Sequence, residues 1–312
     1  MRILDAQVYI TPPLKPAAYA LHTSSIPMLE TSPETYSLDI TNPEASIPDL
    51  LSELTGLSRT RIKHAMTCGA VWRQSGDNQQ RVRRANVRIK AGDKIIFNHS
   101  PEALDSVPLT PELIFDGTDF SVWFKPAGMT VSGSRFGDHT ALNRWIEMNH
   151  RQGNSVFLVH RLDRFTAGLI VVAHRKSTAA DLSKQFSFRE VEKHYHAIVH
   201  GQLKKARTID LPLDEKPAIS RVSALQQKSG YSLVSVEIAT GRKHQIRRHL
   251  AAINHPVVGD RQYGSADTET DLQLAATFIR FRVPGSKYKS ETLQFELDQS
   301  HWPNLSNISS PA

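Results

Sequence analysis

The sequence predicts an α+β protein: a mostly antiparallel, mixed β-sheet with flanking helices, plus a small α/β domain ahead of it. Three observations predict this. Alternating apolar runs are paired across turn residues, 113–115 with 120–124 around Asp116-Gly117, and 218–238 around Gly230-Tyr231, as in hairpins. Strand-like runs at 169–173, 192–201 and 275–281 are interleaved with helical patterns at 141–148, 178–186 and 245–253. Residues 47–100 hold two short helical patterns and strands of their own.

Taken in order, residues 1–46 are rich in Pro, Ser and Thr without sustained periodicity, and Arg2 and Lys15 face Asp5, Glu30, Glu34, Asp39 and Glu44, a net charge of −3. They read as an extension, partly disordered or lying as an arm on a folded domain. In residues 47–100, Leu50, Leu51 and Leu54 suit one helix, and Ser58 is placed to cap a second that buries Ile62 and Met66. Val71 and Trp72 open a strand, and Val87 and Ile89 read as a hairpin with 95–97 around Gly92-Asp93. Ten basic residues oppose four acidic ones in this segment, for +6. Arg59, Arg61 and Lys63 lie on the outer side of the second helix, and Arg81, Arg83 and Arg84 fall in a polar loop. Residues 101–110 read as a linker, 111–302 as the large domain and 303–312 as a polar tail.

At 312 residues the chain can bury two cores, and 39% apolar with 7% aromatic residues is an ordinary globular composition. A formal charge of +7 and a pI of about 9.5 favour a polyanionic partner without telling RNA, DNA and acidic lipid apart. Cys68 is the only cysteine, which excludes an internal disulfide and thiolate-rich metal sites and fits a reducing, cytoplasmic setting. Neither a signal-peptide core nor an apolar run long enough for a membrane span is present, so no membrane partner is expected.

The chemistry concentrates in residues 159–169, VHRLDRFTAGL, where Asp163 stands between Arg161 and Arg164 just before a buried strand. A carboxylate there, beside guanidinium groups, is expected to stay ionised, and can act as nucleophile or base. It can equally tie down a loop by pairing with either arginine. His194, His196 and His200 share one side of a strand, opposite Tyr195, Ala197 and Val199, but no Cys, Asp or Glu stands at a supporting spacing, so no metal site and no cofactor is expected. A His-Arg-x-Asp order superficially like a protein kinase loop is rejected: the Asp is displaced by one residue, and the glycine-rich loop and Asp-Phe-Gly are missing.

Four stretches met in this order resemble the RluA-type pseudouridine synthases: KPAG at 125–128, HRLDxxTxG at 160–168, EKHYHAIVHG at 192–201, and TGRKHQIRRH at 240–249 with HPVVGD and YG through 264. The segment 47–100, closing on KAGDKIIF, resembles the S4-like RNA-binding domain that often precedes that catalytic domain. The resemblance covers roughly 47–300 and implies an isomerase that converts uridine to pseudouridine in rRNA or tRNA, as a monomer and without a cofactor. It implies Asp163 as the catalytic carboxylate, Tyr195 against the target uracil, Arg247 paired with Asp163, and Arg161 filling the place vacated by the flipped base. Arg242, Lys243 and His244, read as exposed, would meet phosphates together with Arg164 and with Arg59, Arg61, Lys63, Arg83 and Arg84. Lys125 is either a phosphate contact or an anchor for its loop. Ala167 stands where the family usually has Ser, and Asn254 where it usually has Gly, the residue next best suited to positive φ. Attack of the carboxylate at C1′ and proton removal at C2′ both remain open. A catalytically silent RNA-binding or ribosome-assembly protein on the same fold is the alternative, and it predicts loss of Asp163, Tyr195 or Arg247, which are all present.

Overall fold

The computed structural model describes residues 33–264, 270–286 and 291–308. Most of the predicted extension and the last residues of the polar tail lie outside them. The described chain forms two compact units, one of residues 33–109 with 132–152, the other of 110–131 with 153–308.

The first unit opens with strand β1 (Glu34–Asp39), inside the stretch read as an extension. Its alternation turns Tyr36 and Leu38 onto the core. Helix α1 (Ile47–Thr55) starts at Ser46, whose side chain accepts from Asp49 N, and stops at Gly56 with φ 72°. Helix α2 (Arg59–Thr67) is capped by Ser58 as predicted and buries Ile62, Ala65 and Met66. Strands β2 (Val71–Ser75) and β3 (Asn78–Arg81) form the hairpin, and β4 (Lys94–His99) lies between β1 and β2. The hairpin expected between 87–89 and 95–97 is therefore a correction: both edges of β4 are taken by other strands. Val82 and Ile89 reach the core from irregular chain, and the Gly92-Asp93 turn is held by bonds between Ile40 and residues 92 and 93.

Half of the predicted linker also folds here. Helix α3 (Pro101–Asp105) buries Leu104 in this core. Residues 132–152, read as part of the large domain, belong to this unit, with helix α4 (Leu142–Asn149) in them. Asp138 fastens the segment: its backbone N–H donates to Cys68 O at 2.9 Å, and its carboxylate pairs with Arg81 and Arg83. Trp72 Nε1 donates to Arg135 O at 3.0 Å.

The second unit is a 10-stranded sheet. Its strands are β5 (Glu112–Asp116), β6 (Phe120–Lys125), β7 (Phe157–Leu158), β8 (Ala167–Ala173), β9 (Glu192–His200), β10 (Arg207–Asp210), β11 (Ile219–Lys228), β12 (Tyr231–Ile238), β13 (Leu274–Arg282) and β14 (Thr292–Glu296). The order is β10-β11-β12-β9-β13-β8-β6-β5, with β14 on β13 and β7 on β8. Every pairing is antiparallel except β8 with β13, so the α+β class and the largely antiparallel sheet are as the sequence predicts. Helices α5 (Lys176–Ser187) and α6 (Gln245–Ala252) flank it, and Leu182 of α5 shares a core with Val171, Ile279 and Phe281. Among the described residues no helix is long and apolar enough to cross a membrane.

Candidate active site

Asp163 sits in the loop between β7 and β8, and the surrounding backbone is over-determined. Its carbonyl accepts from Thr166 N at 3.1 Å, closing a tight turn. Arg164, the next residue, is gripped by the KPAG loop: Gly128 N and Lys125 Nζ donate to Arg164 O at 2.9 and 3.1 Å, and Arg164 Nε donates back to Gly128 O at 3.0 Å. Lys125 is fully buried and also donates to the carbonyls of Pro126 and Met129, each at 2.9 Å, so it is the loop's anchor and not a phosphate contact. Burial pushes its pKa down to about 7, opposed by the charge on Asp163.

His160 is a structural member of the motif. Its Nε2 accepts from Val171 N at 2.9 Å and its ring stacks on Phe186, while burial, aided by Lys193, pushes its pKa down to about 3. Gly168 has φ 118°, and a Cβ there would lie 2.2 Å from Ala276 O on β13. Only glycine permits this approach.

Tyr195 lies in β9 between Val236 of β12 and Ala276 of β13, and is buried. Burial, with the Asp163 charge adding to it, raises its pKa, so the phenol stays neutral. On the opposite side of the strand His194 and His196 are covered by other side chains. His196 is buried under Trp302, ring centroids 3.7 Å apart, and His194 stacks on Phe278 and pairs with Glu192 at 2.9 Å. The C-terminal segment carrying Trp302 supplies a cover that strand alternation could not reveal. Among the described residues no group of three or more His, Cys, Asp or Glu is placed to hold a metal.

Arg247 requires a correction. It is buried, but its carboxylate partner is Asp260 and not the Asp163 that the resemblance implies, reached by Nε at 2.7 Å and NH2 at 2.6 Å. Asp260 also accepts from Gln262 N and Tyr263 N at 3.0 and 3.1 Å. Burial pushes its pKa up, but these bonds outweigh it and hold the carboxyl below the usual range. The signal was in the sequence: Asp260 stands in the same matched stretch as Arg247, 13 residues further on.

The turn before α6 is clamped by Gln245, whose Oε1 accepts from Thr240 Oγ1 at 2.7 Å and Arg242 N at 3.0 Å. His244 adopts φ 53° at the helix start. It was read as exposed, but only 15% of its side chain is, because this left-handed turn aims the ring inward. Its Nε2 lies 3.8 Å from Asp163 Oδ1, and its Nδ1 lies 3.0 Å from the Tyr263 hydroxyl. Among the described residues neither Arg161 nor Arg164 forms an ion pair with Asp163, in contrast to the guanidinium setting expected for it; both arginines are exposed.

These side chains meet at a cleft of about 460 Å³ lined by Arg161, Asp163, Arg164, Thr166, Tyr195, Arg242, Lys243, His244 and Arg247, with Ile238 and Leu274 as apolar wall. A second cavity of about 450 Å³ shares Asp163, Arg164, His244 and Arg247. Of the basic residues singled out in the first unit, Arg59 pairs with Asp49, Arg61 is bidentate to Asp105 at 2.6 and 2.7 Å, and Arg83 is held by Asp138. Lys63 and Arg84 are exposed.

Comparison with known proteins gives a consistent answer. The family described as RNA pseudouridylate synthase matches residues 119–252. The chain is 35% identical over 196 residues to tRNA pseudouridine synthase C of Vibrio cholerae, covering 51% of this chain and 80% of that one. It is 32% identical over 214 residues to ribosomal large subunit pseudouridine synthase D of Nitrosomonas europaea, covering 62% and 60%. Among solved structures, human RNA pseudouridylate synthase domain containing 1 superposes with a TM-score of 0.52 at 23% identity, over 62% of this chain and 85% of that one, a likeness of fold.

Proposed function

The chain belongs to the RNA pseudouridine synthase family, of the RluA type, a family of isomerases, and we propose that it converts uridine to pseudouridine in structured tRNA or large-subunit rRNA, using Asp163. The observation that carries this reading is that Asp163 and the buried Tyr195 line one cleft with five basic side chains, Arg161, Arg164, Arg242, Lys243 and Arg247.

In the reaction the C1′–N1 bond breaks, a C1′–C5 bond forms, and the proton on C5 is replaced by one on N1, so nothing is consumed. Asp163 assists departure of the base, by attack at C1′ or by taking the C2′ proton. Tyr195 supplies an aromatic face for the uracil, worth on the order of 1–3 kcal/mol per stacked base. The uridine must leave the RNA stack to reach the cleft, and Arg161, exposed two residues before Asp163, takes the vacated place. Arg164, Arg242 and Lys243 meet the backbone phosphates, contacts that position RNA without reading its bases.

The first unit acts as an S4-like RNA-binding domain. Its exposed Lys63 and Arg84 are the phosphate contacts, and the ion-paired Arg59, Arg61 and Arg83 contribute less. The protein works as a monomer in the cytoplasm, where its RNA is found.

The test is pseudouridine mapping of total RNA from cells lacking the protein, complemented with wild type or with Asp163→Ala. A position that loses pseudouridine and regains it only with wild type names the substrate. Full restoration by the variant removes Asp163 from the chemistry. No change at any position, with inactive purified protein, leaves a silent RNA-binding protein.

A further inference from the structure

We propose that His244 is a positioning residue for Asp163, held by Tyr263 so that its Nε2–H faces the carboxylate. This rests on the reading of Asp163 as the reacting group.

Three features argue for it. The imidazole lies between two partners on opposite ring nitrogens, the Asp163 carboxylate 3.8 Å from Nε2 and the Tyr263 hydroxyl 3.0 Å from Nδ1. Tyr263 is itself fixed, since its backbone N–H donates to Asp260 at 3.1 Å and its ring lies 5.1 Å from the Arg247 guanidinium. The Arg247–Asp260 pair thus reaches Asp163 indirectly, through Tyr263 and His244. Finally, His244 takes up φ 53°, a conformation that L residues seldom adopt, and this turns its ring into the site instead of toward solvent.

The tautomer follows from the neighbours. Asp163, Asp260, Arg247 and Lys243 act on this ring, and it also touches Tyr263. Burial lowers its pKa, Arg247 and Lys243 act the same way, and the two carboxylates oppose them, so the ring is neutral at neutral pH. A neutral imidazole has one proton to place. On Nδ1 it would leave the Nε2 lone pair pointing at a carboxylate. On Nε2 it faces Asp163, and Nδ1 accepts from the tyrosine O–H. The second arrangement gives Nδ1 its donor and turns the Nε2–H toward Asp163.

The 3.8 Å separation is longer than a hydrogen bond, and such contacts are often long before substrate arrives. Once RNA fills the cleft, the N–H orients the carboxylate toward the ribose and shares its charge when C1′ is released. A phosphate contact, the role sequence reasoning gives His244, fits a freely exposed ring, and this one is 15% exposed.

The experiment uses full-length protein and tRNA and large-subunit rRNA transcripts carrying tritium at uracil C5, whose release reports turnover. Single-turnover rate, half-saturating concentration and RNA affinity are measured for wild type, His244→Asn (Asn also tolerates left-handed backbone), Tyr263→Phe and the double variant, with thermal unfolding as a check on folding. The positioning role predicts a rate loss of ~10–100-fold in each single variant, RNA affinity within about twofold of wild type, and a double variant no slower than His244→Asn alone. A Tyr263→Phe variant with wild-type rate overturns the proposal. So does a His244→Asn variant that keeps its rate but binds RNA more weakly with a shallower salt dependence. Asp163→Asn separates the two levels: if it keeps wild-type activity, the reading of the site falls and the His244 role with it.

Discussion

Lys125 and Arg164, far apart in the chain, are joined by a hydrogen bond of 3.1 Å from the buried ammonium to the carbonyl of the residue that follows Asp163. One cation thereby closes the KPAG loop and fixes the loop that carries Asp163, the proposed reactive carboxylate. Lys125→Met is expected to lower kcat by roughly 100-fold, the scale of a misplacement of about 1 Å, with little change in KM. Stability gives a second readout. The folded pKa is about 7 against an ordinary 10.5, so between these values the unfolded chain holds a proton that the folded chain has lost. Wild type therefore gains stability relative to Lys125→Met as pH rises from 7 toward 10.5. Urea unfolding at pH 7 and 9 measures the difference, and a constant gap between the two proteins counts against it.

The Arg247–Asp260 pairing separates stability from chemistry. Asp260 is buried and bidentate to Arg247, so Asp260→Ala leaves a buried guanidinium without its carboxylate and is expected to cost roughly 3–5 kcal/mol. Asp163→Asn, at a half-buried carboxylate without a bidentate partner, is expected to change stability by less than about 1 kcal/mol while abolishing turnover. If the two costs in chemical denaturation were equal, Arg247 would not belong to Asp260.

Gly168→Ala tests the approach of two strands. The new methyl would meet Ala276 backbone at 2.2 Å from a residue at φ 118°, and β8 would have to move away from β13. A loss of at least about 2 kcal/mol is expected from the strained φ and the displaced contact together, read as a lowered Tm. Ala167→Ser, one residue earlier and half-buried, restores the hydroxyl common in the family and is expected to leave Tm unchanged.

Acid is expected to weaken the fold through His160 and His196, whose pKa values burial pushes down to about 3 and about 4. Below the ordinary value of 6.5 the unfolded chain takes up protons that the folded chain refuses. Stability therefore falls as pH drops from 6.5 toward 4, by at most about 1.4 kcal/mol per pH unit for each ring. His160→Gln, which keeps an acceptor for Val171 N–H, is expected to flatten that slope in denaturation measured at pH 6.5, 5.5 and 4.5.

Much of this was legible in the sequence, because the informative signals are local. Ser58 caps its helix, the two hairpin runs of the large sheet stand where alternation put them, and Asn254 takes the positive φ of 61° expected where a glycine is usual. What escaped is decided by partners distant in the chain. Glu34–Asp39 is short and lies in a Pro- and Ser-rich stretch, and becomes a strand because β4 offers it a free edge. The 132–152 segment changes units because Asp138 finds Arg81 and Arg83. The outward side of β9 is covered only because the chain returns with Trp302. In the site, a buried arginine demanded a carboxylate, and two were available. Geometry chose Asp260.

The parallel pairing of β8 with β13 has a consequence for synthesis of the chain. Asp163 leaves the ribosome more than a hundred residues before Ala276, the residue against which Gly168 closes, so until then its loop lacks one wall. Contacts of such sequence separation form late. The nascent chain can hold the basic first unit and Asp163 without a finished cleft. A protein born on the particle that contains one of its proposed substrates is thereby expected to stay inert until Ala276 has left the ribosome.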